Sequence, residues 1–361
     1  MAREYKTNEV KVDLASYRHY WRGVKKAGKT TLFYQLMMKL YGDPSYGLEL
    51  SVGNERGYKA LDGMVYDEAP DWGTLMEIVD DLVENKADNH FKFICFDTVD
   101  ELVEIAKKEV VRLDYRKTGE RHEFNACLGG YARPREKVTE LINNLMTRLE
   151  DSGYGIIWIG HTKYRTVNEK NGDSYDMLTS NLSSDYDGIF ANKADVVMMI
   201  DIEKEIEGSF VQGTQRYMWF RGDGFVDAGG RFSQIEQKVE FSVENYIKTV
   251  SDAIRAEIKS RKADDAYIEK KAKQEQEERE RYYQENKDKL MKEDPDLDEL
   301  ENDIAACEQL KAEIKASITN LDAETKKGLQ AKLKAAGLPV QYQKLSDTET
   351  LAKILSIVAP N

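Results

Sequence analysis

Short apolar runs separated by longer polar stretches make up the first two thirds of the chain. Each run has the length and the β-branched or aromatic content of a buried strand, and several end abruptly in polar residues. The runs lie in YRHYWRG, SYGLELSVGNERGYKAL, FKFICFDTVDEL, YGIIWIGHTKYRT and ADVVMMIDIE. A helix-like segment, TTLFYQLMMKLYG, follows the first run. The pattern predicts an α/β fold with a mostly parallel central sheet and a terminal β-hairpin region at RYMWFRGDGF and GRFSQIE.

The pattern changes near residue 248. Charges of both signs then recur at helical spacing with few apolar residues, which predicts a charged helical spacer of roughly 65 Å if it is fully helical. After Pro295, apolar residues return three or four positions apart and predict a small all-α module. The chain therefore divides into a predicted α/β domain at 1–248, a charged helical linker at 249–295 and a helical C-terminal module at 296–361.

Composition excludes several classes of protein. The 361 residues carry a formal net charge of -13, so any contact with nucleic acid must come from a local basic patch. Three cysteines lie far apart, without metal-ligand or disulfide spacing, which favours a reducing compartment. The N-terminus has no apolar signal region, and no run of about 18 apolar residues occurs. We therefore expect a cytoplasmic protein without a membrane partner.

A phosphate-binding loop is the strongest chemical signal. Gly23, Gly28, Lys29 and Thr30 match G-x-x-x-x-G-K-[ST] between a strand and a helix, the context that this motif requires. Lys29 would reach the β- and γ-phosphates, and the Thr30 hydroxyl would bind Mg²⁺. The alternative is a chance glycine turn before a helix. The predicted nucleotide-binding residues are Gly23, Lys26, Ala27, Gly28, Lys29, Thr30 and Thr31.

Two carboxylates at the ends of neighbouring predicted strands complete the expected chemistry. Asp97 ends an apolar run and would support the metal, as the carboxylate of a Walker B strand does. Its alternative role is to cap the following helix, a part that Asp100 could also play. Standard AAA+ proteins carry the catalytic glutamate directly after this aspartate, where this chain has Thr98. Glu55 is then the candidate to polarise water, unless it is an ordinary surface turn residue.

His161 and Lys163 follow the predicted strand within YGIIWIGHTKYRT. Ligands of open α/β sheets bind at the carboxyl ends of the strands, so His161 is a candidate sensor of the γ-phosphate. A structural histidine is the alternative.

This order of motifs resembles the phage AAA-type nucleotide-binding family, which has a RecA-like core and includes single-strand annealing ATPases of the Sak group. The similarity covers roughly residues 14 to 250. It implies a RecA-like P-loop ATPase that uses ATP and Mg²⁺ between subunits of a homo-oligomer, with Lys29, Glu55 and His161 as catalytic residues. It also implies that Arg221 and Arg231 act on the neighbouring subunit's nucleotide. The chain departs from the family in reading DAGGRF near the late arginine, and it lacks the proline often found before the P-loop lysine.

The resemblance also implies that the protein binds single-stranded DNA through loops after the Walker B helix and after the sensor strand. The first region is locally basic and contains aromatic residues that could stack on bases. A solvated helix pair joined by a glycine turn is the alternative. The second region, residues 164–193, is polar and aperiodic, so we expect a mobile loop there. The DNA-binding candidates are Arg116, Lys117, Arg121, Tyr131, Arg133 and Arg135.

The sequence therefore predicts an ATP-hydrolysing, RecA-like protein that acts on single-stranded DNA in phage recombination, annealing or replication, in the cytoplasm of a bacterial host. Phage single-strand-binding or replication proteins are possible partners. One alternative is a nucleotide-dependent loader or adaptor that docks a replication protein through its helical C-terminus. A small-molecule or nucleoside kinase is disfavoured because no arginine-rich helical lid follows the predicted sensor strand.

Overall fold

The structure is a computed structural model, and it describes residues 5, 8–170, 172–207, 210–258, 264–291, 295–319, 321–345 and 347–359. It contains two compact units. Unit 1 comprises residues 1–106 and 139–291, and unit 2 comprises residues 107–138 and 292–361. These bounds differ from the three predicted domains, whose division of the chain stays a prediction.

Eleven strands are found in the described residues, nine of them in one sheet with the order β11-β9-β8-β1-β5-β4-β2-β3 and β10 paired to β8. The six strands from β8 to β3 in this order are parallel, and β9, β10 and β11 are antiparallel to their neighbours. This arrangement confirms the predicted mostly parallel sheet. The strands are β1 (Arg18–Gly23), β2 (Gly47–Val52), β3 (Val65–Ala69), β4 (Phe93–Asp97), β5 (Gly155–Gly160), β6 (Thr162–Asn168), β7 (Ser174–Ser180), β8 (Val196–Glu207), β9 (Phe210–Trp219), β10 (Gly229–Gly230) and β11 (Lys238–Glu240).

Ten α-helices surround or follow the sheet in the described part of the chain. They are α1 (Lys29–Tyr41), α2 (Trp72–Glu84), α3 (Val99–Thr118), α4 (Arg133–Asp151), α5 (Ser184–Ala191), α6 (Val243–Glu257), α7 (Asp265–Leu290), α8 (Pro295–Thr319), α9 (Ala323–Ala335) and α10 (Thr348–Val358). None of them is long and apolar enough to cross a bilayer.

One hydrophobic core of unit 1 lies between the sheet, α1 and α6. β1, β4 and β5 are almost wholly buried, as their apolar runs predict. A buried polar chain crosses this core: the Trp21 indole donates to the Tyr246 hydroxyl over 3.0 Å, and that hydroxyl lies 2.7 Å from His19 Nδ1. These bonds satisfy polar groups that would otherwise be costly to bury, and they fix α6 against the strand that precedes the P-loop.

Two β-hairpins correct expectations from the sequence. Residues 164–193 were expected to form a mobile loop, but they contain most of an antiparallel hairpin, β6–β7, and α5. The predicted terminal hairpin region is present, but its second strand lies further along the chain: β9 pairs antiparallel with β11, which follows GRFSQIE, and with β8 on its other side. β6 is largely exposed and β11 has only three residues, so neither carries the apolar run from which a strand is predicted.

The segment predicted as a spacer contains the end of α6 and all of α7, and both lie in unit 1. The buried Glu275 carboxylate accepts hydrogen bonds from the backbone N–H groups of Val12 and Asp13. The Tyr283 hydroxyl, also buried, donates to the Val83 carbonyl of α2 over 2.5 Å. A few well-placed residues thus attach an otherwise polar helix to the sheet unit.

The C-terminal helices form the predicted small all-α module within unit 2. Apolar side chains from α8, α9 and α10 make its separate core, which confirms the helical periodicity after Pro295. Its buried members are Cys307, Ile314, Leu333, Tyr342, Leu351, Ile354 and Val358.

Candidate nucleotide-binding site

The loop from Gly23 to Gly28 joins the end of β1 to the start of α1. Gly28 has φ of 101°, a left-handed conformation that glycine adopts without steric cost. A Cβ at Gly23 would lie 3.1 Å from the Ile200 Cβ, so β1 and β8 also need a small residue there. Lys26 and Thr31 are exposed on either side of the buried Ala27. The loop therefore has the strand-turn-helix form that binds phosphate through backbone N–H groups.

The Lys29 ammonium lies inside this loop. It donates to the carbonyl oxygens of Gly23, over 2.8 Å, and of Val24, over 3.0 Å. Burial lowers the pKa of Lys29 to about 8, while the carboxylates of Asp97, Asp100 and Glu55 oppose this shift. A phosphate group in the loop would favour the charged ammonium, so the lysine is placed to bind an anion.

Asp97 ends β4 and faces the start of α1. Its carboxylate accepts a hydrogen bond of 2.6 Å from the Thr30 hydroxyl. Burial raises the pKa of Asp97, although Thr30 and Lys29 act in the opposite direction. The alternative role as a helix cap falls to the next residue, because the Thr98 hydroxyl accepts from the backbone N–H of Glu101 in the first turn of α3.

Asp100 holds the backbone at the end of β5 by hydrogen bonds. Its carboxylate accepts from the His161 backbone N–H and from the Asn181 side-chain amide, both over 2.9 Å. The Asn181 backbone N–H in turn donates to the His161 carbonyl over 2.9 Å. These bonds set the backbone of His161 at the carboxyl edge of the sheet, beside the P-loop.

The His161 ring lies between Lys29 and Glu55. Its Nδ1 is 3.4 Å from the Lys29 Nζ, and its Nε2 is 3.4 Å from a Glu55 carboxylate oxygen. Glu55 stands in the turn after β2, where its carbonyl accepts from the Ser51 hydroxyl. The structure therefore brings Lys29, Glu55 and His161 together, next to the Thr30–Asp97 pair. Their roles in catalysis stay a prediction.

The residues around Thr30 fit a magnesium ion. Thr30 and Asp97 offer a hydroxyl and a carboxylate, the oxygen ligands that Mg²⁺ prefers. A Cβ at Gly57 would lie 2.7 Å from the Thr30 Oγ1, so the turn after β2 keeps this side of the hydroxyl clear.

Glu49 lies on β2 opposite Cys95, and neither oxygen of its fully buried carboxylate has a hydrogen-bond partner in the described residues.

Because the Glu49 carboxyl is buried, we expect the stability of the protein to depend on pH. Burial, together with the charges of Asp97 and Glu55, raises its pKa to about 8. Because the unfolded chain loses this proton near the ordinary value of 4.5, the free energy of unfolding should fall as pH rises from 4.5 to about 8. Glu49→Gln removes the ionisable group, so at about pH 9 it should be more stable than the wild type by on the order of 2 to 4 kcal/mol.

Urea unfolding of both proteins at about pH 5 and about pH 9 checks this. Glu77→Gln, at an exposed position on α2, is the matched control and should match the wild type at both pH values. A stability difference between Glu49→Gln and the wild type that does not grow with pH would contradict the shifted pKa.

The two arginines predicted to act in trans lie away from this cluster. Arg231 pairs with Asp195 at 3.2 Å, just before β8 begins and thus at the sheet edge opposite the P-loop. The exposed Arg221 donates to the Ser233 carbonyl over 3.4 Å. In the part of the chain that the structure describes, neither is among the contacts of Lys29, Glu55 or His161. Their action on a neighbouring subunit remains a prediction.

Sequence reasoning missed Arg216, which lies on β9 and touches the P-loop. Its Nη1 donates to the Ala27 carbonyl over 3.1 Å, and its guanidinium lies 4.4 Å from the centre of the Phe241 ring. The only sign of this role in the sequence was a basic residue within an apolar run. The pairing of Arg216 with Ile202, which carries it to the loop, depends on the β8–β9 register.

The candidate DNA-binding residues all belong to unit 2. Tyr131 is 97% exposed on a turn in which Leu128, Gly129, Gly130 and Tyr131 all have positive φ. The Asp114 carboxylate holds this turn by accepting from the Leu128 N–H over 2.7 Å. Arg116 and Lys117 lie in the last turn of α3, the Arg121 guanidinium is 5.8 Å from the Tyr115 ring, and Arg133 and Arg135 lie in the first turn of α4.

The fold and this site define a P-loop NTPase with a RecA-like core: β1 leads into the phosphate loop, β4 ends in the buried aspartate, and β5 lies between them. A family model described as an AAA domain matches residues 15–232, more than half of the chain, and the chain belongs to that family.

No curated protein matches the chain. Among solved structures, the chain is similar to a KaiC-like protein from the hyperthermophilic archaeon Pyrococcus horikoshii OT3, with 16% identity, a TM-score of 0.35, and coverage of 63% of this chain and 85% of that one.

Proposed function

We propose that this protein hydrolyses ATP with Mg²⁺ and uses the reaction to act on single-stranded DNA. The observation that carries the catalytic part is the contact series from the Lys29 ammonium through the His161 ring to the Glu55 carboxylate. Three side chains from separate sequence regions meet at the carboxyl edge of the sheet, where P-loop proteins bind nucleotide.

Each residue has a chemical part in this proposal. Lys29 would exchange its carbonyl partners for the β- and γ-phosphates, and Thr30 and Asp97 would hold Mg²⁺. The bound metal neutralises phosphate charge during the reaction. Glu55, partly open to solvent, would orient the attacking water and accept its proton. His161 would contact the γ-phosphate from its place between Glu55 and Lys29.

His161 is also connected to the hairpin that follows it. Its backbone is bonded to Asn181, and the Lys163 ammonium donates to the Asn181 carbonyl over 2.8 Å. Asn181 lies directly after β7. Loss of the γ-phosphate would therefore first change the contacts at the two ends of the β6–β7 hairpin. Hydrolysis would in this way cause a conformational change of the hairpin.

The basic turn of unit 2 supports the DNA part. Residues 112–137 contain seven lysines and arginines against four acidic residues, in a chain with a net charge of -13. The exposed Tyr131 offers a base a stacking surface, and the Arg133 guanidinium, which donates to the Leu128 carbonyl of the same turn, offers the backbone phosphates a counter-charge. The DNA work we propose is phage recombination, annealing or replication by a homo-oligomer in which Arg221 and Arg231 reach the neighbouring nucleotide.

Variants of this turn test the DNA part. Tyr131→Ala should weaken single-stranded DNA binding roughly tenfold through the loss of stacking, and reversal of Arg133 and Arg135 to glutamate should weaken it further. Fluorescence anisotropy with a labelled oligonucleotide measures both, and Tyr282→Ala, which removes a tyrosine that is 45% exposed on α7, is the control. Unchanged DNA binding in the double reversal excludes this turn.

A second candidate is a nucleotide-dependent loader or adaptor, which the separate core of the α8–α10 module favours. Such a module can dock a replication protein without taking part in catalysis. The two functions differ in what stimulates hydrolysis: single-stranded DNA alone for the first, and only the protein partner for the second.

A further inference from the structure

A pocket of about 470 Å³ opens beside the P-loop, between α1 and the chain segment after β11. Its volume is in the range of small-molecule sites. Its walls include three side chains of α1, one of β9 and two of the segment that enters α6. These six are Tyr34, Gln35, Met38, Arg216, Phe241 and Ser242.

The pocket adjoins the phosphate loop, because a Cβ at Gly28 would lie 2.7 Å from the Arg216 Nη1 and 3.2 Å from the Phe241 ring. Thr31, Tyr34, Gln35 and Met38 are three or four residues apart on α1, so they follow one face of the helix away from the loop. Arg216 lines the pocket and also donates to the Ala27 carbonyl within the loop. A molecule whose phosphates lie in the loop would therefore extend past Arg216 into the pocket.

The walls suit a flat aromatic group. The Phe241 ring is partly exposed and has the Arg216 guanidinium 4.4 Å from its centre. Met38, an apolar side chain that is 41% exposed, stands on the α1 side. Gln35 adds an exposed amide that can both donate and accept a hydrogen bond. The far end is bounded by the Lys39–Glu244 ion pair, at 3.2 Å.

We propose that this pocket binds the nucleoside part of the nucleotide, with the base against Phe241 and Met38 and with Arg216 beside the ribose and the first phosphate. The inference rests on the proposed nucleotide site and assigns it residues that the P-loop motif does not include. Arg216 then contacts both parts of the ligand, so it would leave the Ala27 carbonyl when nucleotide binds.

Equilibrium binding of two probes tests the pocket. ATP has a nucleoside, whereas inorganic tripolyphosphate offers only the phosphates, and both are titrated by calorimetry in the presence of Mg²⁺. The wild type should bind ATP more tightly than tripolyphosphate. Phe241→Ala should weaken ATP binding roughly tenfold through the loss of stacking, and it should leave tripolyphosphate binding unchanged.

Two control variants separate this inference from the proposed function. Phe225→Ala removes a phenylalanine that is 57% exposed elsewhere on unit 1, and it should bind both probes as the wild type does. Lys29→Ala should bind both ATP and tripolyphosphate much more weakly than the wild type does. If Lys29→Ala still binds ATP like the wild type, the proposed nucleotide site itself fails.

The pocket assignment fails separately if Lys29→Ala loses ATP while Phe241→Ala keeps wild-type affinity for it. Wild-type protein that binds ATP and tripolyphosphate equally well also overturns the assignment, and this comparison needs no variant. Phe241→Ala could also lose affinity for ATP and for tripolyphosphate equally, at unchanged thermal stability. The substitution would then disturb phosphate binding, and this result would contradict a nucleoside pocket.

Discussion

Replacing Glu55 by glutamine is expected to leave ATP bound but to slow phosphate release by roughly 100-fold or more. Glutamine keeps the size of the side chain and its contact distance to His161, but it cannot accept the proton of the attacking water. The binding affinity for ATP should stay near the wild-type value because the Lys29 contacts are untouched. Phosphate release under single-turnover conditions, together with a separate ATP titration, measures the two effects.

Glu77→Gln is the matched control for this variant. It makes the same chemical change at an exposed position of α2 and should leave the rate unchanged. Hydrolysis by Glu55→Gln at the wild-type rate would show that another group activates the water, and the contact between Glu55 and His161 would then be structural.

Lys29→Ala is expected to weaken ATP binding on the order of 100-fold or more. The ammonium is the cation inside the phosphate loop, and hydrogen bonds to charged groups contribute roughly 1.5 to 3 kcal/mol each. Lys25→Ala removes an exposed lysine of the same loop and should retain binding. Because burial disfavours the charged lysine, the alanine variant should not melt at a lower temperature than the wild type.

Calorimetric titration of ATP into both lysine variants checks this expectation. Equal affinities of Lys29→Ala and Lys25→Ala for ATP would contradict the assignment of the loop.

Local patterns in the sequence predicted most of the parallel sheet. An apolar run that ends in a polar residue locates both a buried strand and its carboxyl end, and parallel strands bring these ends to one edge. For this reason Glu55, Asp97 and His161 could be predicted as neighbours of the P-loop from their positions alone.

The sequence could not predict what depends on the pairing of strands and the packing of helices. Arg216 reaches the P-loop because β9 returns along β8, and the irregularity between Glu205 and Ile206 in that pairing has no local signature. α7 has a polar sequence, yet Glu275 and Tyr283 attach it to unit 1. Glu49 has the sequence of a half-exposed strand residue and is fully buried because β2 lies between β4 and β3.

The rate of phosphate release from ATP, measured as single-stranded DNA is titrated into the wild-type protein, tests the central claim most directly. We expect release that depends on Mg²⁺, rises with DNA and is absent in Lys29→Ala at every DNA concentration. A wild-type protein that releases no more phosphate than Lys29→Ala, at any concentration of DNA, would contradict it.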